Sequence, residues 1–492
     1  MKKFLCLILL SVILLAGCSS NLTIEKISKD LDTYKMTLEY NDEEKSLTAF
    51  QTLTYTNNTD TELNEIYFHL YPNNFSEGAV NKPVGVLSSQ KAYPNGESYG
   101  KIDILSSSTN SDDLTYTLEG TDKDFLKVSL ASPLSPTNKT TINLSYTVTL
   151  PNINHRFGFG NNTINIANFY PVVAVYEDDW VLDPYNYNGD PFYSNMANYE
   201  VTLTAPSNLI LASTGEILSK NSNEEKITYE IKAQAVRDFA FVLSNKFDVL
   251  TEQVGHTTVS YFYYNEETPE EFLKASVDSL NTFNSLFGSY PYSTLNVVKA
   301  NFVHGGMEYP NLVLISDDVS EKADYINVIV HEIAHQWWYG LVGNNEHAYG
   351  WLDEGLTEYS TNLFYRENPE YNINADEIIK NTTSSFANFV ELYTSVLGSV
   401  DTSMNRALDE YDTEPEYVYV TYVKGMLFFD ELRNILGHKE FMACLKDYFE
   451  TYKFQNVKPE HLLGSFEKTS HTDLSGFFDS WISGKVLIES NN

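Results

Sequence analysis

Cysteine is almost absent. The chain has three in 492 residues, Cys6, Cys18 and Cys444, and two of them fall within the first twenty. A disulfide framework therefore does not hold this fold together. Positive charge is scarce as well: 32 lysines and arginines stand against 67 acidic residues, a formal net charge of −35. That balance argues against nucleic acid as a partner. It suits solubility, and the approach of cationic peptides. Beyond the N-terminal segment no run is long and apolar enough to span a bilayer, no repeat recurs and no low-complexity tract appears. What remains is 42% hydrophobic, the share of a globular protein with room for two or three domains.

The N-terminus reads MKKFLCLILLSVILLAGCSS. Lys2 and Lys3 precede an apolar stretch, Phe4 to Leu14, that is short for a membrane span and fits a secretory signal over 1–17. Leu15-Ala16-Gly17-Cys18 resembles the lipobox of bacterial lipoproteins, which implies lipidation of Cys18 and anchorage on the outer side of a membrane. The alternative is a plain signal with an incidental cysteine. Residues 18–35 read as a polar tether. Cys444, in the helical pattern "EFMACLKDYF", reads as a small core residue.

From 36 to 252 apolar and polar residues alternate in short runs, as in "SLTAFQTLTYTNNTD", "TTINLSYTVTLP" and "KITYEIKAQAVRDFAFVLS". The period of two and the turn residues between runs predict antiparallel strands packed as a β-sandwich. Residues 253–492 read differently, as an α+β region. "TVSYFYYNEE" is a strand, and "TPEEFLKASVDSLNTFNSLFG" is a helix with Thr268 as cap, Pro269 in the first turn and Gly288 at its end. "TLNVVKANFVHGGMEYPNLVLIS" returns to strand, and helices follow.

One helix carries chemistry. From Asp324 to Tyr339 the apolar residues Ile326, Ile329, Val330, Ile333, Ala334, Trp337 and Trp338 keep helical spacing, and Gly340 is a natural stop. His331 and His335 are four apart, so both imidazoles leave the same face, with Glu332 beside them. Two histidines and a glutamate are costly to bury on such a helix without a partner, and His-Glu-x-x-His on a helix is a zinc-peptidase pattern of two ligands and a general base. A catalytic zinc takes a third protein ligand and leaves a position for water. Glu354, nineteen residues after His335 on a second amphipathic helix, "GWLDEGLTEYSTNLFY", is placed to be that ligand.

The stretch "HEIAHQWW…WLDEGLTEY" closely resembles the aminopeptidase N family of gluzincins. The resemblance implies a thermolysin-like, mainly helical catalytic domain, with one Zn2+ held by His331, His335 and Glu354 and with Glu332 as general base. "GGMEYP" (Gly305, Gly306, Met307, Glu308, Tyr309, Pro310) resembles the family's Gly-x-Met-Glu-Asn motif. By that resemblance Glu308 binds the substrate's free α-amine and the preceding residues take the peptide backbone. Tyr309 departs from the family's Asn, and Asp353 stands where the family commonly has Asn. "TYVKG" resembles the family's Tyr-x-Lys-Gly segment and implies Tyr422 as oxyanion donor. Glu358, one turn beyond Glu354, is placed to orient a ligating histidine or to face solvent. His304 and His347 flank the motifs without a ligand role. The resemblance ends near "FFDSWISGK", before the family's C-terminal helical domain.

Together these residues predict a zinc aminopeptidase acting on peptides with a free N-terminus outside the cell membrane. The alternatives are a zinc endopeptidase with an open cleft and an inactive peptide-binding surface lipoprotein. Retention of Glu332 argues against the last.

Overall fold

The structure, a computed structural model, describes residues 23–486. The predicted signal segment and Cys18 lie outside them. Three sheets fill the first half. The largest has seven strands in the order 216–222, 226–236, 197–206, 32–41, 46–56, 139–149 and 101–108. Its alternating burial is the period-two pattern of the sequence: along Asp32–Asn41, Met36, Leu38 and Tyr40 face inward while Lys35, Thr37 and Glu39 face water. Two four-stranded sheets, one built on 63–69 and 125–134 and the other on 164–166 and 241–244, complete this half.

The structure departs from the sequence expectation in three places. Strands 32–41 and 197–206 pair in parallel, not antiparallel. The supposed tether is folded from Ile24 onward: Ile24–Ile27 is a helical turn, the Ser28 carbonyl accepts from Asn198 Nδ2 at 2.8 Å, and Asp32 accepts the Thr56 amide at 2.8 Å within the first strand. Strand 32–41 is the central strand of its sheet, and its polar residues alternate onto the exposed face. The boundary expected between 252 and 253 falls inside strand Asp248–Val254, which forms a hairpin with Thr257–Tyr263.

That hairpin opens a five-stranded sheet, in the order 248–254, 257–263, 294–300, 312–316 and 306–307, parallel at its centre and antiparallel at both edges. Helix Pro269–Leu286 covers it; Thr268 precedes this helix but makes no side-chain cap bond. Helices Lys322–Ala334, Glu354–Glu367, Ala375–Leu397, Lys424–Leu436, His438–Tyr452 and Pro459–Ser470 follow. Cys444 is fully buried among them. No helix among the described residues is long and apolar enough to cross a membrane.

The two halves are joined around Arg237. Its buried guanidinium donates to the carbonyls of Ser194, Tyr339 and Gln455 and to the Asn456 side chain. The charge is thus solvated by carbonyl dipoles from both halves instead of by water. One of those carbonyls, Tyr339, has φ 117 and lies in the turn that follows His335.

Candidate metal centre and peptide cleft

The helix bearing the histidines runs from Lys322 to Ala334, five residues short of the predicted Tyr339. The apolar spacing continues, but the backbone does not. The Trp338 carbonyl turns back to His335 Nδ1 at 2.9 Å, Arg237 Nε takes the Tyr339 carbonyl at 2.6 Å, and the Tyr339 amide pairs with Val342. Tertiary hydrogen bonds override the local helical period here.

This turn fixes His335. A carbonyl only accepts, so His335 Nδ1 carries a proton, and Nε2 is the nitrogen turned toward Glu354. His331 is held in the same way, with Nδ1 3.3 Å from Glu358 Oε1. Glu358 is thus close enough to His331 to pair with it, while its side chain stays partly exposed. The two Nε2 atoms lie 3.1 Å apart, and Glu354 Oε2 is 3.2 Å from His331 Nε2 and 3.1 Å from His335 Nε2. Donors about 2.05 Å from a shared tetrahedral centre would stand about 3.3 Å from one another. The triangle thus has the size of a zinc site, and its N, N, O donor set is that of a catalytic one.

Charge supports the same reading. Burial opposes ionisation of Glu354, yet His335 and His331 hold it well below the usual carboxylate range. Burial likewise opposes a charged His335, but Glu354 outweighs it and raises the imidazole to about 10. A carboxylate that clamps protons onto buried imidazoles is a strong cation site, and a metal ion replaces those protons.

Glu354 is placed by helix crossing. It opens helix Glu354–Glu367, which packs on Lys424–Leu436 where Gly355 meets Gly425; a Cβ on either would stand 2.7 Å from the other's Cα. That close approach brings in Tyr422, whose hydroxyl donates to Glu354 Oε1 at 2.6 Å. Tyr422 sits in a π-helical stretch, Tyr419–Val423, which its sequence does not betray. The expectation for Tyr422 was a hydroxyl aimed at substrate; here it bonds the ligand carboxylate.

Glu332 and Glu308 line the same cleft as the triad. Glu332 rests on edge strand Gly306–Met307, so close that a Cβ on Gly306 would lie 2.3 Å from Glu332 Oε1. Its Oε2 has no hydrogen-bond partner. Burial pushes its carboxyl up to about 7 against the pull of His331 and His335. Glu308 is 3% exposed, and its Oε1 is likewise unpartnered. A carboxyl oxygen of Glu308 lies within 4.8 Å of a ring nitrogen of His335, and within 4.8 Å of the Glu354 carboxylate. Met307 is buried, while Gly305 keeps its backbone open to the cleft. Tyr309, which departs from the family's Asn, points away: its hydroxyl donates to Asn168 Oδ1 at 2.6 Å in the first half of the chain. Asp353 accepts from Asn344 Nδ2 at 3.0 Å, and burial with the charge of Glu354 pushes it up to about 7.

His331, His335, Glu354, Glu332, Glu308 and Tyr422 line one cleft of about 260 Å³. Several of its walls went unseen in the sequence. His155, Arg156, Tyr185, Asn188 and Asp190 reach it from the β half, where no local motif marks them. Gln336 was missed too: its side chain donates to the Glu308 and Tyr309 carbonyls, both at 3.2 Å, and accepts the Asn311 amide, so it ties the Glu308 loop to the histidine turn. His304 lines the cleft and His347 is buried nearby, and neither joins the triad.

Residues 272–481 match the Peptidase family M1 domain. Among curated relatives, the chain is 24% identical over 311 residues to aminopeptidase M1-D of Oryza sativa subsp. japonica, covering 58% of this chain and 34% of that protein. It is 28% identical over 234 residues to aminopeptidase B of Mus musculus, covering 44% and 35%. The matches thus span about a third of the length of those relatives. Among solved structures, the M1 zinc metallopeptidase of Deinococcus radiodurans aligns with a TM-score of 0.66 at 18% identity, over 93% of this chain and 95% of that one. A mutant of it bound to a Tyr-Ser-Ala substrate aligns with a TM-score of 0.64 at 17% identity, over 94% and 96%. Residues 272–481 thus match the Peptidase family M1 domain, and the fold over nearly the whole chain is similar to that of an M1 zinc metallopeptidase.

Proposed function

We propose that this chain is a zinc aminopeptidase that removes N-terminal residues from peptides, working outside the cell on a lipid anchor. The observation that carries the reading is the position of Glu308: a buried, unpartnered carboxylate in the same cleft as the His331–His335–Glu354 triangle and within 4.8 Å of two of its members. An ammonium held there leaves room for one residue before the scissile carbonyl reaches the triad. The M1 domain match and the aminopeptidase names of the relatives agree with it.

When bound, a zinc ion at the triad supplies Lewis acidity toward water and the scissile carbonyl. The chain's own residues do the rest. Glu332 accepts the attacking water's proton on its unpartnered oxygen and later delivers it to the leaving amine. The Tyr422 hydroxyl, turning from Glu354 Oε1 toward the cleft, donates to the developing oxyanion. His331 and His335 stay in the right tautomer through Glu358 and the Trp338 carbonyl. Gly305 and Gly306 let the substrate backbone lie against the edge strand.

Acetylating the N-terminus of a substrate removes the charge Glu308 would pair, and is expected to lower kcat/KM about a hundredfold. Glu308→Ala should slow free peptides and narrow that gap. Paired assays of free and N-acetylated peptides with product analysis decide it. Internal cleavage of acetylated peptides at the rate of free-peptide trimming would replace the exopeptidase reading with an endopeptidase.

The anchor rests on Leu15 to Cys18. Cys18→Ala should move the protein out of the membrane fraction or leave an unprocessed precursor. An unchanged mass and unchanged fractionation would show that lipid plays no part.

A further inference from the structure

Glu308 is aimed by the loop that carries it. Among the described residues no hydrogen bond or ion pair engages its carboxylate, so the place of that group follows from the backbone beneath it. Met307 is paired with Leu314 on the sheet edge. The chain then turns between Tyr309 and Leu312: the Leu312 amide returns to the Tyr309 carbonyl at 2.9 Å, and Asn311 takes φ 63.

Three backbone groups of this stretch are tied to one side chain. Gln336 Nε2 donates to the carbonyls of Glu308 and Tyr309, both at 3.2 Å, and Gln336 Oε1 accepts the Asn311 amide at 2.9 Å. Gln336 is 1% exposed, so these bonds are made away from water, where an unmade one is costly. The residue before it in the chain is His335, a member of the metal triad. The other side-chain bonds of the turn lead elsewhere, from Tyr309 Oη to Asn168 in the β half and from Asn311 Nδ2 to Tyr290 Oη at 2.9 Å. One buried amide therefore links the Glu308 loop to the metal triad, and a link of fixed length fixes a distance.

We infer that Gln336 is a positioning residue: it sets the separation between Glu308 and the metal triad, and so makes the site measure the span from a substrate's ammonium to its scissile carbonyl. An α-amino acid has that span, and a β-amino acid is one carbon too long. This rests on the aminopeptidase reading, and the test separates the two.

Alanine and β-alanine 4-nitroanilides are isomers that both carry a free ammonium and differ in this span. With zinc-loaded full-length protein, kcat/KM should favour alanine by about a hundredfold, the effect of a misplacement of about 1 Å. Gln336→Met keeps the length of the side chain without its polar groups, and Gln336→Asn keeps the amide on a stem one methylene shorter. Both should retain about one zinc per chain and lower the alanine to β-alanine ratio by about tenfold or more. A role in folding alone would slow both substrates together, so an unchanged ratio overturns the inference. A wild-type ratio near one overturns it too. Where one variant fails to hold zinc the other decides, and loss of zinc from both overturns the inference, because Gln336 would then hold the ligands and not Glu308. Failure to release nitroaniline from any aminoacyl substrate counts against the aminopeptidase reading itself. In that case calorimetry of alanine amide and β-alanine amide on zinc-loaded Glu332→Gln, with and without Gln336→Asn, still decides: a preference of about tenfold for alanine amide that Gln336→Asn removes supports the inference, and equal or absent binding, or a preference that survives, overturns it.

Discussion

Glu332→Gln is expected to lower kcat for peptide hydrolysis by about a thousandfold while one zinc per chain stays bound. The side chain is buried to 5% exposure, lies against Gly306 and makes no bond through Oε2, so glutamine fills the same space. What glutamine cannot do is accept a proton. General-base catalysis contributes about a hundred- to ten-thousandfold, most where the base titrates near the working pH, and burial has pushed Glu332 up to about 7. The metal triad does not include this residue, so metal content should not change. Steady-state kinetics and metal analysis on the same preparation check both halves. A kcat within tenfold of wild type would remove Glu332 from the mechanism.

His335→Ala is expected to abolish both tight zinc binding and activity. The imidazole is 1% exposed and supplies one corner of a triangle whose sides are 3.1 to 3.2 Å. Its removal leaves two donors and a cavity where a tetrahedral site needs three and water. It also leaves Glu354 buried with less compensation, so the fold itself should weaken by about 2 kcal/mol or more. His347→Ala is the control. That histidine is equally buried, but its nearest carboxylates are 3.9 Å away and it belongs to none of the donor groups, so its loss should leave metal content intact. Full zinc and full turnover in His335→Ala would sink the assignment.

The metal triad was legible in the sequence because its geometry is local. Four residues along a helix put His331 and His335 on one face whatever the rest of the fold does, and Glu354 opens a helix only nineteen residues further on. Tyr422 was legible only through its neighbours Lys424 and Gly425, since among 35 tyrosines it has no signature of its own. The part that escaped is non-local. Asp190 and Arg156 enter the cleft from the β half, more than a hundred residues before His331, by a packing that no period announces. The early end of the histidine helix was equally invisible: Trp337 and Trp338 keep the apolar spacing, and an arginine from the other half breaks the backbone pattern. The folded stretch taken for a tether has the same origin. Strand Asp32–Asn41 is stabilised by neighbours at 46–56 and 197–206, and composition alone reads its exposed face as linker.

Hydrolysis is expected to depend on one zinc held by His331, His335 and Glu354. The most direct measurement is a chelator titration of the purified protein, with zinc content and aminopeptidase rate read on the same samples and zinc then restored. The expected result is about one zinc per chain, a rate that falls in proportion to occupancy, and recovery on adding zinc back. Undiminished hydrolysis by protein stripped of zinc would contradict it.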